Sequence, residues 1–150
     1  MLGDGSETVD GKDGWRHWLP GDPTRFIAVL GDMHVRTDAA GRAIVRMMPE
    51  HRHSNVLGAV HGGVLMSFAD TALFAAAQVL GVEAAEGAVT VDLSAQFIGA
   101  GRIGIALEAE VEILRTTRRL IFLRGLIRQA ETNILSFAGT VRRASTGTPA

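Results

Sequence analysis

One carboxylate stands in the middle of a long apolar segment. Asp70 is the only ionisable side chain in residues 63–80. An unpaired charge in apolar surroundings costs several kcal/mol or shifts its pKa, so an acid in such a segment needs a reason to be there. We take Asp70 as a candidate general base or nucleophile. The plain alternative is a core acid satisfied by Ser67 or by a partner chain.

A glycine pair precedes this segment. Residues 55–63 form a loop that ends in His61-Gly62-Gly63, where a helix should begin. Glycines at a helix start leave backbone N–H groups accessible at the positive end of the helix dipole. Such amides stabilise a carbonyl oxygen that becomes negative, and with a nearby base they could support hydrolysis. Taken alone, Gly62 and Gly63 would indicate only a tight turn.

Two further groups of ionisable residues could do chemistry. His51 and His53 could share one face of an extended segment and bind a metal, but without a carboxylate pair or cysteines nearby a solvated loop is the better interpretation. Arg115, Arg118 and Arg119 form a basic cluster. Such a cluster is either simply solvated or contacts phosphates, for which the guanidinium fork is well suited.

The composition narrows the function classes. The chain has 150 residues, 47% of them hydrophobic, a net charge of −1 and no cysteine. The neutral balance argues against nucleic acid as a partner, and the lack of cysteine excludes disulfides, thiolate zinc sites and a cysteine nucleophile. We expect a cytoplasmic protein without a membrane span, because no secretory signal is visible and Asp70 would cost about 3 kcal/mol inside a bilayer.

The hydrophobic period indicates the elements that position these residues. Up to about Leu80 the apolar residues are spaced as in a helix, and after that apolar and polar residues alternate as in a strand. In residues 88–98 this alternation places Val91 and Leu93 on one face and Thr90 on the other. We expect a mobile tail at 1–20 with Trp15 and Trp18 near the domain edge, a domain at 21–143 and a C-terminal tail at 144–150. The predicted elements are a short helix at 24–30, a hairpin of 33–37 with 42–48, a helix at 63–80, and strands at 88–98, 103–113, 119–128 and 133–142.

These elements predict an α+β fold. The long helix is apolar around most of its circumference and must be covered on several sides. The connections between the last four strands are short, which favours consecutive antiparallel neighbours. A curved antiparallel sheet wrapped around one long central helix satisfies both conditions, and this layout resembles the hotdog fold.

The spacing of the candidate residues carries a more specific resemblance. Asn55 stands six residues before His61-Gly62-Gly63, and Asp70 follows His61 by nine. This set, on a hotdog-like layout that covers residues 30–143, resembles the phenylacetate-degradation type of acyl-CoA thioesterase. The alternatives are a non-catalytic acyl-CoA-binding hotdog protein and a hotdog hydratase or dehydratase, although the His–Asp spacing of the latter is not found.

The resemblance implies a role for each residue. Asp70 would be the general base or nucleophile, and the Gly62 N–H would polarise the thioester carbonyl. Asn55 would hold the carbonyl or the attacking water, His61 would shape the loop, and Thr90 would support the water. Coenzyme A would be part of the substrate and no other cofactor is expected. The residues expected to contact it are Gly63, Arg115, Arg118 and Arg119.

The chain departs from the family pattern at one place, and the acyl group and the oligomeric state are expectations of a separate kind. Many relatives carry a glycine between the basic residues, where this chain has Thr116 and Thr117. The acyl pocket is expected to take a medium-chain or aryl group. Gly62 and Asp70 lie about 12 Å apart along a helix, so we expect a site shared by two chains in a homo-oligomer, a dimer at least and a tetramer by preference. The expected pocket walls are Met47, Met66, Leu73, Phe74 and Phe97.

Overall fold

The structure contains one long helix followed by long strands, as the spacing of the apolar residues predicts. The structure, a computed structural model, describes residues 13–18, 21–82 and 87–144. Helix α1 spans Gly62–Val79, and two short 3₁₀ turns span Phe26–Leu30 and His51–His53. The strands are β1 (Arg16–Trp18), β2 (Met33–Thr37), β3 (Ala43–Met47), β4 (Val89–Phe97), β5 (Leu107–Thr116), β6 (Leu120–Gln129) and β7 (Thr132–Arg142).

The seven strands form one antiparallel sheet, and the α+β prediction with a single central helix is confirmed. The strand order is β1-β2-β3-β5-β6-β7-β4. The expectation that the last four strands follow one another as neighbours is wrong for β4, which pairs with β7 rather than with β5. Residues 98–106 therefore form a crossover rather than a hairpin. As a result β4 lies at an edge of the sheet, with no strand of the described residues on its outer side.

The fifth strand begins later than its alternating pattern predicts. Residues 103–106 of the predicted strand lie outside β5. Gly104 has φ +83° and turns the chain there. Gln129 takes the backbone of Arg102 and the Ile105 carbonyl as its hydrogen-bond partners. These backbone groups are held by a side chain and not by a neighbouring strand, which is why the strand starts at Leu107.

The sheet curves around α1 and buries one side of it. Leu65, Phe68 and Leu73 are among the helix residues in the core. The helix and β7 approach closely at Gly139, where an added Cβ would lie 2.5 Å from Leu73 Cδ1. By length and composition α1 could cross a membrane, but half of it is buried within the domain. It is the core helix that the sequence predicts.

The sheet also takes in residues from the predicted N-terminal tail. Strand β1 pairs with β2, and the Trp18 indole donates a hydrogen bond to Gln78 of α1 at 2.9 Å. The expectation that the tryptophan segment packs on the domain edge is confirmed. The sheet thus begins before residue 21, where the sequence places the domain boundary. Residues 1–12 and 145–150 of the predicted tails lie outside the described residues.

Candidate active site

The start of α1 presents one backbone N–H without a partner. The N–H of Val60 donates to the Gly101 carbonyl at 2.9 Å and that of His61 to the His53 carbonyl at 2.8 Å. Beyond the glycine pair, Val64 and Leu65 both donate to the His61 carbonyl. Among the hydrogen bonds of the described residues, none uses the N–H of Gly62. This amide is therefore available to a ligand at the positive end of the helix.

His61 caps the helix and holds the second glycine. Its Nδ1 accepts the Gly63 N–H at 2.8 Å, so His61 is the N-cap residue of α1. The Gly63 amide is thereby occupied, and a ligand would find only the neighbouring Gly62 N–H unused. A side chain on Gly63 would bring Cβ to 3.0 Å from the His61 ring. The ring and the glycine thus fix each other.

Asn55 organises the loop from its first residue. Its Oδ1 accepts the N–H groups of Leu57 and Ala59, at 2.9 and 3.0 Å. An asparagine that bonds backbone two residues ahead is a common way to close a turn. Gly58, with φ +78°, completes this turn in the left-handed region. The side-chain oxygen of Asn55 is thus used within the loop, and its amide nitrogen is the part that could reach a substrate.

Asp70 meets Thr90 across the helix–sheet layer. The Thr90 hydroxyl donates to Asp70 Oδ1 at 2.6 Å, a length typical of a charge-assisted bond to a carboxylate. Asp70 is half-buried, and no hydrogen bond among the described residues uses its second oxygen. The bond orients one carboxylate oxygen and leaves the other for a water molecule or a substrate atom.

A β-bulge brings Thr90 to the helix side of the sheet. Thr90 pairs with Val141 and Asp92 with Thr140, so Val91 is an extra residue in β4. An extra residue shifts the alternation of side chains by one. Thr90 and Leu93 consequently both face α1. The expectation that they lie on opposite faces is wrong, because a strict period of two has no place for the bulge.

The structure does not bring all the predicted catalytic residues together in one chain. Gly62 contacts the far end of β4, where its added Cβ would lie 3.2 Å from the Phe97 ring. Thr90 lies seven residues earlier in the same strand, which is about 23 Å along an extended chain. One region thus holds the loop and Gly62, and another holds Asp70 and Thr90.

The face of α1 that the sheet leaves open flanks Asp70 with apolar side chains. Met66 and Phe74 lie one helical turn on either side of Asp70, and both are half-buried. Two predicted pocket walls are not available, because Met47 and Leu73 are fully buried in the core. Their side chains support the sheet and the helix instead of lining an open pocket.

The basic cluster lies at the turn between β5 and β6. Arg115, Arg118 and Arg119 are exposed. Arg142, the pairing partner of Leu120 at this turn, also pairs with Val89 at the start of β4. The cluster therefore lies at the same end of the sheet as Thr90, about two strand spacings or 10 Å away.

His53 is not the solvated loop residue that the sequence favours. It is fully buried, and both ring nitrogens are occupied: Nδ1 accepts the Glu50 N–H and Nε2 lies 2.5 Å from the Val29 carbonyl. These bonds leave no nitrogen for a metal. Within the described residues, no three His, Asp or Glu side chains are grouped to hold one. The neighbours of His53 in the sequence are all polar or charged, so the local sequence gives no signal that His53 is buried.

Comparison with known proteins assigns the chain to a family. The family model described as the thioesterase superfamily matches residues 57–136. This span covers more than half of the chain and includes the glycine pair, Asp70 and Thr90.

Individual relatives agree with the family model. A candidate esterase of Pseudomonas aeruginosa is 30% identical over 114 residues, which are 76% of this chain and 84% of the relative. Human acyl-coenzyme A thioesterase 13 is 26% identical over 97 residues, 65% of this chain and 68% of the relative. A mutant of the Thermus thermophilus phenylacetic acid degradation protein is 28% identical, with a TM-score of 0.65 over 82% of this chain and 100% of that one. The resemblance and the hotdog fold inferred from the sequence are confirmed.

Proposed function

The chain belongs to the thioesterase superfamily and is a thioester hydrolase, and we propose that it converts an acyl-CoA to the free acid and coenzyme A. The human relative is named for this activity and is 26% identical to the chain. The spacing of Asn55, the His61-Gly62-Gly63 loop and Asp70 supports the same reaction. No cofactor is required, since coenzyme A is part of the substrate.

The observation that carries the proposal is the unused N–H of Gly62. It is the only backbone N–H in residues 59–65 to which the described structure assigns no partner. In thioester hydrolysis the carbonyl oxygen gains negative charge, and an N–H aimed at that oxygen stabilises the transition state. The partial positive charge of the α1 N-terminus adds to this effect.

Asp70 supplies the other half of the reaction. Its second oxygen would take a proton from water while that water attacks the thioester carbon. Alternatively it would attack the carbon itself, which gives an anhydride with Asp70 that water then hydrolyses to the free acid. Thr90 holds the other oxygen at 2.6 Å and so fixes the direction of the carboxylate. The thiolate of coenzyme A leaves as the tetrahedral intermediate collapses.

The proposed site needs two chains. Gly62 and Asp70 are separated by about 12 Å along the helix, whereas both must approach one carbonyl group. Strand β4 offers a free edge. If the nine residues of β4 pair along their whole length with an antiparallel copy, Val89 meets the partner's Phe97. Because Phe97 packs on Gly62 in its own chain, this pairing brings Thr90 and Asp70 of one chain to Gly62 of the other.

The exposure of β4 supports this dimer. Val91 and Phe97 in this edge strand, and Ile98 directly after it, are each more than half exposed. An unpaired strand with apolar residues is normally covered. A two-fold axis across β4 would cover both copies with the same residues and generate two equivalent sites.

The chemistry of the open helix face supports the proposed acyl class. Met66 and Phe74 flank Asp70 with flexible and aromatic apolar surface, which fits a medium-chain or aryl acyl group. The proposed contacts for the phosphates of coenzyme A are the exposed side chains of Arg115, Arg118 and Arg119. Their fork-shaped donors match phosphate oxygens.

A thiol-release assay tests the reaction. Purified protein is mixed with a panel of acyl-CoAs of different chain lengths, including aryl acyl-CoAs, and free thiol is measured. Activity that disappears in Asp70→Asn supports the proposal. Tight binding of acyl-CoAs without thiol release would instead indicate a non-catalytic binding protein.

Complementation tests the shared site. Asp70→Asn and Asn55→Ala, each with strongly reduced activity alone, are unfolded together and refolded as a mixture. Half of randomly formed dimers are mixed and each of these has one intact site, so about a quarter of the parental activity should return. No recovery despite proven mixed dimers would place each site within one chain.

A further inference from the structure

Two buried polar side chains hold backbone on either side of the loop before α1. In the described part of the chain, the buried polar residues are His53, Thr71 and Gln129. Burial of a polar side chain is costly unless its hydrogen bonds are satisfied. The partners of His53 and Gln129 therefore indicate what these side chains contribute, and in both cases the partners are main-chain atoms.

Gln129 fixes the crossover between β4 and β5. Its Oε1 accepts the Arg102 N–H at 2.7 Å, and its Nε2 donates to the carbonyls of Arg102 and Ile105, both at 2.8 Å. One carboxamide thus binds three backbone groups of a segment that lies outside the ladder of the sheet. Gln129 is 5% exposed, so water does not compete for these bonds.

The crossover, residues 98–106, is in turn hydrogen-bonded to the loop before α1. The Gly101 carbonyl accepts the Val60 N–H at 2.9 Å, and Ala59 bridges to Arg102. A side chain at Gly101 would bring Cβ to 3.0 Å from Val60 Cγ2. Gln129 therefore controls the position of Val60, which stands two residues before Gly62.

His53 fixes the next residue from the other side. Because the Glu50 N–H donates to Nδ1, that nitrogen carries no proton, and Nε2–H donates to the Val29 carbonyl. The ring is thereby locked between two segments. Its own backbone carbonyl accepts the His61 N–H at 2.8 Å. His53 thus holds the residue that immediately precedes Gly62.

We propose that Gln129 and His53 are positioning residues that aim the Gly62 N–H at the thioester oxygen. The inference rests on the proposed function, in which Gly62 is the oxyanion donor. Such a donor lowers the barrier only if it is fixed before the charge develops. A loop fixed at Val60 and His61 by two buried side chains meets that condition, although neither side chain touches the substrate.

The test uses a change in Gln129 that removes its hydrogen bonds and keeps its length. In Gln129→Met we expect kcat to fall about tenfold or more, because small misplacements of a catalytic group are costly. KM should stay within about twofold, since the misplaced donor acts mainly in the transition state. His53→Asn is the second variant. It keeps an acceptor for the Glu50 N–H and loses the bond to Val29, so a smaller decrease in kcat is expected.

Val111→Ala is the matched control. Val111 is fully buried near the middle of β5, where it pairs with Ala43 of β3, and among the described residues it has no hydrogen bond to the loop. The variant should lower the thermal midpoint while kcat stays near the parental value. A folded Gln129→Met enzyme with parental kcat would overturn the proposal. An equal loss of kcat in a Val111→Ala protein with the same thermal midpoint would also overturn it, because loss of stability alone would then explain the effect.

Hydrogen exchange provides a readout that does not depend on activity. The amides of Val60 and His61 should exchange about tenfold faster in Gln129→Met than in the parent, and at the parental rate in Val111→Ala. Unchanged exchange in Gln129→Met would refute the positioning role. If the parent released no thiol from any acyl-CoA, the proposed function would fail, while the exchange rates would still decide whether Gln129 holds the loop.

Discussion

The two regions that carry the candidate residues hold their polar groups in different ways. In the loop region, residues 53–63 with the crossover 98–106, backbone groups are bound by buried side chains and by each other. In the base region, Asp70 with Thr90 and the β5–β6 turn, one hydrogen bond orients a half-buried carboxylate and the neighbouring arginines are exposed. The loop region is thus fixed within the chain, whereas the base region is open.

This difference matches what each half of the reaction requires. A donor for a developing oxyanion must not move when the charge forms, so a fixed loop is an advantage. A base must admit water and substrate and release the product, so it needs an accessible face. The open face also allows a second chain to contribute its loop.

The largest effect is expected in the base region, where the reaction depends on one side chain. Asp70→Asn keeps the size of the side chain and the acceptor for Thr90 but removes the base. We expect kcat to fall about 10²-fold or more, with little change in thermal midpoint or acyl-CoA affinity. Turnover at the parental rate would show that Asp70 is not the base.

The next largest effect is expected in the loop region. Asn55→Ala removes the acceptor of the Leu57 and Ala59 N–H groups, and we expect kcat to fall about 10- to 100-fold as the loop loses its geometry. Asn55→Asp keeps the acceptor and loses the amide donor. Hydrogen exchange at Leu57 and Ala59 should therefore be fast in Asn55→Ala and near parental in Asn55→Asp.

The comparison of the alanine and aspartate variants separates the two possible roles of Asn55. If Asn55→Asp restores the exchange rates but not kcat, the amide nitrogen acts on the substrate or the water. If Asn55→Asp restores both, the residue acts through the loop. Parental kcat in Asn55→Ala would contradict both roles.

The base region was the easier of the two to predict from the sequence. An acid in an apolar helix is visible because composition and period are local properties, and the helix and most strand positions follow from the same local signals. The bulge at Val91 was not predictable, since no glycine or proline marks it. Without the bulge, the sequence pattern directs Thr90 away from the helix.

The loop region depends on contacts that no local pattern contains. His53 is buried because it binds the Val29 carbonyl, 24 residues earlier. Gln129 ends a strand, and its role comes from a crossover 27 residues away. The edge position of β4 also depends on pairing with β7 instead of with the next strand. These non-local contacts decide where the loop lies, and the spacing of the motif alone could not reveal them.

A smaller effect is expected when the single hydrogen bond in the base region is removed. Thr90→Val keeps the shape of the side chain and loses the donor to Asp70, and we expect kcat to fall about tenfold. Thr90→Ser restores the hydroxyl and should recover most of the activity. Equal activity of the valine and serine variants would show that the orientation of Asp70 does not depend on this bond.

The smallest effect is expected at the exposed arginines, because contacts in solvent contribute little each. Replacing Arg118 and Arg119 by alanine should raise KM for acyl-CoA about three- to tenfold and leave kcat nearly unchanged. A truncated thioester without the nucleotide should show no change, and added salt should reduce the difference, since screening acts over about 8–10 Å. Arg124→Ala is the control, an exposed arginine paired with Glu112. Equal losses on both substrates would place the phosphate contacts elsewhere and leave the β5–β6 turn without a part in binding.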